Sequence, residues 1–242
     1  MTNQLDATVQ VLREALLAGH YPGGDKLTEQ GLSATFSVSR TLVRLALADL
    51  EREGLVERTP NRGFRVRSFT LEEVSDAIEV RGELEGMAVR LAGERGLVSE
   101  ADRELGDLIV QMDAVLVDGL TGPDGRARWI DLNAAFHNGL IAASGNATLA
   151  ETIAGLSRMP LVSARALVFD QSDPHGSLDR LKAAQADHRA VLDAVRARQG
   201  ARAAHIMREH ALKSARNKRA SFDAMRRTDF IPSLPGLALV RA

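Results

Sequence analysis

The residues from Thr28 to Arg44 constrain the fold of this chain more than any other stretch. Their order, TEQGLSATFSVSRTLVR, predicts a short helix, a tight turn and a second helix. Ser39 is placed to cap the second helix, because its hydroxyl can accept from backbone N–H groups one turn further along. Four apolar residues repeat at the spacing of a buried helix face: Val43, Ala46, Leu47 and Leu50. This pattern predicts a helix-turn-helix.

Two arginines of the second helix point away from its apolar face. Arg40 and Arg44 lie one turn apart near the helix N-terminus, the end that enters the major groove in a helix-turn-helix. A guanidinium can donate two hydrogen bonds to guanine O6 and N7, and each such contact contributes roughly 1–3 kcal/mol of discrimination. The two arginines are therefore predicted to read DNA bases.

A basic hairpin is predicted directly behind this helix. Residues 55–58 and 64–67 alternate like two short strands, and residues 60–63 form a turn signal between them. Such a ribbon is a wing, and Arg62 at its tip is placed to enter a minor groove, where the negative potential attracts arginine. Gly63 would let the backbone approach the DNA closely.

Composition limits the remaining possibilities. The 242 residues carry a net charge of −1 and contain no cysteine, which excludes disulfides, thiolate zinc sites and thiol catalysis. No apolar run approaches the ~18 residues that cross a bilayer, and no signal peptide is visible. We expect a cytoplasmic protein without membrane contact.

The rest of the chain is predicted to be helical. Thr70 and Glu73 form a capping box, and helices are expected at about 71–93, 99–118, 127–144, 147–170, 177–199 and 201–224. The predicted fold is mainly α, with an N-terminal winged helix-turn-helix (1–68), an antiparallel bundle of about six helices (69–228) and a C-terminal tail (229–242). The basic residues of the last helix, Lys218 among them, are interpreted as a solvated face, with contact to the DNA-binding part or to phosphate as the alternative.

Histidines on three predicted helices could form a metal site. Asn133 and His137 share a helix face at i, i+4, while His188 and His210 belong to two other helices. Imidazole suits zinc, nickel, copper or iron, and an oxygen ligand adds tolerance for manganese. Spacing alone favours ordinary structural histidines, because no diagnostic motif links them.

The N-terminal motifs resemble those of the GntR family of winged-helix regulators. The resemblance rests on Leu27-Thr28-Glu29, Val38-Ser39-Arg40-Thr41-x-Val43-Arg44, Glu53-Gly54-Leu55-Val56 and Pro60-Asn61-Arg62-Gly63. It implies a DNA-binding set of Ser39, Arg40, Thr41, Arg44, Arg62 and Gly63. Leu42 and Leu45 depart from the proline and glutamate usual in the family, and Leu45 places an apolar group on the flank of the recognition helix.

The C-terminal motifs resemble the FadR branch of that family, with its all-helical ligand-binding (FCD) domain. The matching segments are Val80-Arg81-x-x-Leu84-Glu85, Asn133-x-x-Phe136-His137, Asp187-His188-x-x-Val191-Leu192 and Met207-x-x-His210. The resemblance implies that Asn133, His137, His188 and His210 bind a divalent metal, zinc in first place with nickel or manganese as alternatives. Six helices indicate the shorter, VanR-like subgroup.

Two arginines are candidates for binding an effector carboxylate in that domain. They are Arg81 and Arg165, although Arg81 could equally pair with Glu85 at i, i+4. The resulting hypothesis is a homodimeric, ligand-responsive repressor that binds an inverted-repeat operator and is released by a small carboxylate. Two alternatives stay open, namely a metal-dependent enzyme using the histidine cluster and an architectural DNA binder without an effector.

Overall fold

The computed structural model describes residues 2–59, 63–120, 123–166, 174–228 and 236–241. The chain divides into two compact units, and the first contains residues 1–74, 158–161 and 232–242. The second contains residues 75–157 and 162–231. Within the described ranges, no helix has the length and apolar character needed to span a membrane.

The first unit is a three-helix domain with a small antiparallel sheet. Its sheet order is β1-β3-β2, and Thr59 of β2 lies opposite Gly63 of β3. The elements are α1 (Thr2–Leu17), β1 (Lys26–Leu27), α2 (Glu29–Phe36), α3 (Arg40–Arg52), β2 (Val56–Thr59) and β3 (Gly63–Val66). The predicted winged helix-turn-helix is confirmed, while the wing turn at residues 60–62, including Arg62, lies outside the described residues.

Local side chains define the two helices of the motif. The Thr28 hydroxyl accepts from the Gly31 N–H at 3.1 Å, and the Ser39 hydroxyl accepts from the Leu42 N–H at 3.2 Å. Ser37 ends α2 in the left-handed region at φ 54°. The four apolar residues of α3 are all buried, as their spacing predicts, so this helix is fixed to the domain by one face.

The C-terminal residues return to the first unit. A 3₁₀ helix (Leu237–Leu239) leads into β5 (Val240–Arg241), which pairs in parallel with β4 (Phe69–Thr70). The Gly236 N–H donates to the Leu17 carbonyl at 2.7 Å, and Leu239 is fully buried. From the sequence we predict a separate tail at residues 229–242. In the structure, residues 236–241 belong to the first unit, where β5 pairs with β4.

Removing the Leu239 side chain should destabilise this unit. We expect Leu239→Ala to lower its free energy of unfolding by about 2–4 kcal/mol, because truncating a buried leucine leaves a cavity. Hydrogen exchange of the α1 amides in the full chain would detect the loss as faster exchange. Arg241→Ala, at an exposed position of the adjoining strand β5, is the matched control, and equal exchange rates in both variants would contradict the assignment.

The second unit is built from helices, and the first of them begins within residues 71–74 of the first unit. They are α4 (Leu71–Arg95), α5 (Ser99–Val117), α6 (Pro123–Ala143), α7 (Ala147–Leu156), α8 (Pro174–Arg196) and α9 (Gly200–Thr228). The capping box of α4 is confirmed, since Thr70 and Glu73 exchange backbone-to-side-chain hydrogen bonds of 2.8 and 3.1 Å. The predicted helix at 147–170 is wrong at residues 157–166, because α7 ends at Leu156 and Pro160 disfavours a helix at its own position and at the preceding residue. Residues 167–170 lie outside the described residues.

Close helix packing places α4 beside α9. A Cβ at Gly82 would overlap the Cβ of Ala211, and one at Gly86 would lie 3.3 Å from the Ala204 carbonyl oxygen. The main core beside them contains Met112, Phe136, Leu140, Val191, Leu192 and Met207. This packing brings the inward faces of α4, α6, α8 and α9 to one region of the unit.

Candidate functional site

The recognition helix presents both predicted arginines to solvent. The Arg40 and Arg44 side chains are 66% and 59% exposed. Glu29 of α2 pairs with them: Arg44 donates to its two oxygens at 2.8 and 2.9 Å, and an Arg40 nitrogen lies 4.0 Å away. The hydrogen bond from Arg44 holds the pKa of Glu29 below its ordinary value. The motif includes Glu29, but the sequence does not predict that Glu29 pairs with the two arginines.

The other predicted DNA-binding residues divide into three groups. Ser39 uses its hydroxyl as the helix cap, and Thr41 is exposed beside it. Gly63 begins β3 at φ +83°, and a Cβ there would lie 3.3 Å from the Leu27 carbonyl oxygen. Arg62 falls outside the described residues. Leu45 is 49% exposed on the flank of α3, so the apolar departure from the family pattern does lie on the surface.

Three buried histidines meet inside the second unit. His137 of α6, His188 of α8 and His210 of α9 each offer a ring nitrogen, and these nitrogens all lie within 4.8 Å of one another. The ring centroids are separated by 4.7 to 5.4 Å. The structure therefore brings together three residues that are 51 and 22 positions apart in the sequence.

An oxygen atom faces the Nδ1 of each histidine. The His137 Nδ1 lies 2.9 Å from Glu85 Oε2, and the His188 Nδ1 lies 3.1 Å from Gln185 Oε1. The His210 Nδ1 is 3.5 Å from Asp187 Oδ2, within ion-pair range but without hydrogen-bond geometry. Partners of this kind orient metal-binding histidines in known sites.

The surroundings of His188 favour a neutral ring with an available lone pair. The Gln185 amide nitrogen donates to the Asp113 carboxylate at 2.6 Å, so its oxygen is turned toward His188 and accepts the Nδ1 proton. The His188 Nε2 is buried and has no hydrogen-bond partner among the described residues. Burial lowers the pKa of His188 well below its ordinary value, and it also lowers the pKa of His210.

Asn133 lies one turn before His137 on α6 and lines the same cavity. Its amide nitrogen donates to the Ala164 carbonyl at 2.8 Å. This bond fixes the amide orientation, so the oxygen is the atom that Asn133 can offer to a metal ion. The candidate donors are therefore three imidazole nitrogens and one amide oxygen, a combination that suits a divalent cation such as zinc, nickel or manganese.

The two predicted effector arginines differ in position. Arg81 is buried and lines the cavity, where it donates to Glu85 at 2.7 Å and to the Val162 carbonyl. Burial alone would raise the pKa of Glu85, but Arg81 and His137 outweigh it and hold that pKa well below its ordinary value. Arg165 is not at the cavity, because its side chain is 64% exposed and pairs with Asp131.

The cavity beside the histidines has a volume of about 330 Å³. Its wall is formed by α4, α6, α8, α9 and residues 163–164, and it is large enough for a small metabolite. The histidine end is lined by Glu85, Asn133, His137 and His210. Further along α8 and α9 lie polar and basic residues: Ser177, Arg180, Ser214, Arg216, Asn217 and Lys218.

Lys218 is buried in this wall rather than solvated, which corrects the interpretation of the last helix as a solvated face at this position. Lys218 is only 6% exposed. Burial and the neighbouring Arg81 charge lower the pKa of Lys218 to about 7, with Glu85 acting in the opposite direction. A buried lysine with a lowered pKa in a cavity is a candidate functional residue. No spacing rule in the sequence distinguishes Lys218 from the exposed basic residues around it.

The lowered pKa predicts a pH-dependent stability. Between about pH 7 and 10.5 the unfolded chain binds a proton at Lys218 that the folded chain has lost, so the stability rises with pH across this window. Arg81 and Glu85 on α4 and Arg180 on α8 line the same cavity. We expect the free energy of unfolding of the native chain, minus that of Lys218→Met, to rise by up to about 1.4 kcal/mol per pH unit. A flat difference in chemical denaturation would refute this.

Comparison with known proteins identifies both units. The model of the bacterial regulatory proteins of the gntR family matches residues 5–66, and the FCD domain model matches residues 76–213. LutR of Bacillus subtilis, an HTH-type transcriptional regulator, is 30% identical over 212 residues, which is 79% of this chain and 90% of LutR. The Nta operon transcriptional regulator of Aminobacter aminovorans is 33% identical over 138 residues, 57% of this chain and 62% of that relative.

A solved structure has a similar fold. The solved structure of Escherichia coli McbR/YncC is similar with a TM-score of 0.64 at 21% sequence identity, and the match covers 93% of this chain and 99% of that one. Together with the winged helix-turn-helix and the six C-terminal helices, these findings agree with the motif-based expectation. The chain belongs to the GntR family of DNA-binding transcriptional regulators, in the FadR-like branch that carries an FCD domain.

Proposed function

We propose that this regulator is a ligand-responsive repressor whose helical unit binds a small carboxylate beside a divalent metal ion. The observation that carries the proposal is the convergence of three buried, mutually close histidines at one end of a cavity of about 330 Å³. The same cavity is lined by potential metal-binding nitrogens and by basic side chains, and this combination suits an anionic metabolite.

The donor atoms fit a metal ion. Two nitrogens bound to one zinc at about 2.1 Å lie roughly 3.4 Å apart in tetrahedral geometry, so the observed limit of 4.8 Å requires a closure of only about 1.4 Å. The unpartnered Nε2 of His188 supports this fit, because a buried polar atom without a partner is costly. Asn133, His137, His188 and His210 would hold the ion, which supplies a Lewis-acidic centre for a carboxylate oxygen.

The protein side chains prepare the site for that ion. Glu85 and Gln185 each accept from an Nδ1–H, which directs the Nε2 lone pairs of His137 and His188 away from those partners. Arg81 holds Glu85 from the other side and compensates its charge. The same Arg81 lines the cavity, so an anion bound there lies close to the group that orients a histidine.

We propose that two copies of the chain bind one operator. An inverted repeat is read by a dimer whose two recognition helices enter successive major grooves, so we propose a homodimer. Light scattering of the full chain should then give twice its mass of 26.1 kDa. A monomer that binds a single half-site would contradict the dimer.

Effector response is tested with DNA that the protein itself selects. A duplex enriched from a random library by the full chain serves as the operator, and fluorescence anisotropy measures its affinity with zinc, nickel or manganese present. We expect added carboxylates to weaken operator binding, because an effector acts through its different affinity for the bound and free conformations. An affinity that no carboxylate changes would favour the architectural alternative, and turnover of the carboxylate would favour the enzyme.

A further inference from the structure

Leu45 is a large apolar side chain on the exposed side of the recognition helix. It is 49% exposed and lies five residues after the first residue of α3. Val11 of α1 is the other large apolar side chain that is exposed among the described residues of the first unit. A single exposed leucine is common on protein surfaces, so the argument depends on where Leu45 lies.

The helical repeat places Leu45 apart from the two arginines on the exposed side of α3. At 3.6 residues per turn, Arg44 lies about 40° and Leu45 about 140° around the helix from Arg40. The arginines lie on the side where Glu29 of α2 contacts them. The middle of the buried face of α3 is about 150° from Leu45, so Leu45 points almost directly away from the domain core.

The neighbours of Leu45 in the first turns of the helix make this side mostly apolar. Thr41 lies one turn before Leu45 and is exposed, and Leu42 is half-buried beside them. The nearest charged groups toward the C-terminal end of the helix are Asp49 and Arg52, which pair with each other. Leu45 is therefore the largest exposed side chain on this side of the first two turns.

A leucine can recognise DNA only through apolar contact, because its side chain neither donates nor accepts hydrogen bonds. In the major groove, the apolar group that marks a base is the 5-methyl group of thymine. A G·C pair offers hydrogen-bonding atoms there but no methyl group. Contact of those atoms with a leucine would remove their water without replacing the lost hydrogen bonds. The chemistry of Leu45 thus favours an A·T pair with the thymine methyl directed toward it.

We propose that Leu45 is a specificity-determining residue that packs against the 5-methyl group of one thymine in each site contacted by a recognition helix. This thymine lies next to the guanines that Arg40 and Arg44 are expected to contact. The inference uses only the DNA binding of the family. It is independent of the metal ion, of the effector and of the number of chains on one operator.

The test removes a single methyl group from the DNA. The full chain selects its duplex from a random library, and each thymine of that duplex is replaced in turn by deoxyuridine, which lacks only the 5-methyl group. Fluorescence anisotropy without effector gives the affinities. For the native chain we expect one of these replacements to weaken binding about fourfold per site, as the loss of one buried methyl-sized group predicts.

Leu45→Ala should bind the thymidine and deoxyuridine duplexes equally, because the side chain that contacts the methyl group is gone. Its effect and that of the missing methyl group should therefore be non-additive, as for two groups in contact. Val11→Ala is the matched control, since it shortens the other exposed apolar side chain of the unit and should keep the fourfold loss. A native chain that is insensitive to deoxyuridine at every thymine overturns the inference, and so does a Leu45→Ala variant that keeps the sensitivity.

A second selection tests the same residue through a change of specificity. A carboxylate can accept a hydrogen bond from the N4 amine of cytosine, so Leu45→Glu should enrich cytosine in place of the thymine identified with deoxyuridine. Retention of thymine at that position by Leu45→Glu would show that another residue reads it. Because no effector or metal is added, both selections are decided separately from the carboxylate response on which the proposed function depends.

Discussion

Replacing Arg40 and Arg44 together by alanine should reduce specific operator affinity by roughly 30-fold or more, because each arginine can supply a bidentate contact to guanine. Both side chains are exposed at the start of α3, and the helix itself is fixed by its buried face and the Ser39 cap. Fluorescence anisotropy against the selected duplex measures the loss. Circular dichroism should show an unchanged fold.

Two further variants make this test specific. Arg52→Ala removes an exposed arginine from the last turn of the same helix, and we expect it to change operator affinity little. Arg44→Lys keeps the charge but loses the planar pair of donors, so it should weaken operator binding while non-specific, salt-sensitive binding persists. Specific binding that survives the double alanine change would show that other residues read the operator.

The helix-turn-helix could be predicted because its determinants are local. Ser39 and the four apolar residues of α3 act within one or two helical turns, and the structure shows the cap and the buried face directly. The strand β1 could not be predicted, because its two residues pair with Phe64 and Arg65, nearly 40 positions away. Two residues carry no alternation from which a strand could be recognised.

The histidine cluster was predictable only through the resemblance to a known family. Spacings of 51 and 22 residues between the histidines contain no information on their distance in space. What joins them is the packing of α6, α8 and α9, together with α4, whose Gly82 permits close approach to Ala211. The hydrogen-bond partners of the histidine Nδ1 atoms, such as Glu85 and Gln185, also depend on how the helices pack. No sequence motif predicts them.

Residue type alone predicts the wrong burial for Lys218 and the wrong location for Arg165. Lys218 belongs to a basic helix segment whose composition indicates solvent exposure, yet its amine is buried in the cavity wall. Arg165 was expected to face an effector, yet it pairs with Asp131 at the surface. The helix predicted at 147–170 ends at Leu156, so Arg165 does not lie on this helix.

Removing one histidine should abolish stabilisation by metal ions. We expect zinc, nickel or manganese to raise the melting temperature of the native chain, since a ligand at 1,000 times its Kd adds about 4 kcal/mol to the folded state. His188→Ala should eliminate this metal-dependent increase, because it removes the fully buried ring whose Nε2 has no partner among the described residues. The quantity compared is the melting temperature with metal minus that with chelator, so any loss of packing in the variant cancels.

His205→Ala is the matched control, because it removes an exposed histidine from α9, the helix that carries His210. It should retain the full metal-dependent increase. If His205→Ala and His188→Ala respond to metal alike, the ions bind elsewhere on the surface, and if the native chain shows no response to any of the three ions, the cluster is structural. A response that depends on His188 and also tightens carboxylate binding would link the ion to the effector, since coupling between two ligands must be reciprocal.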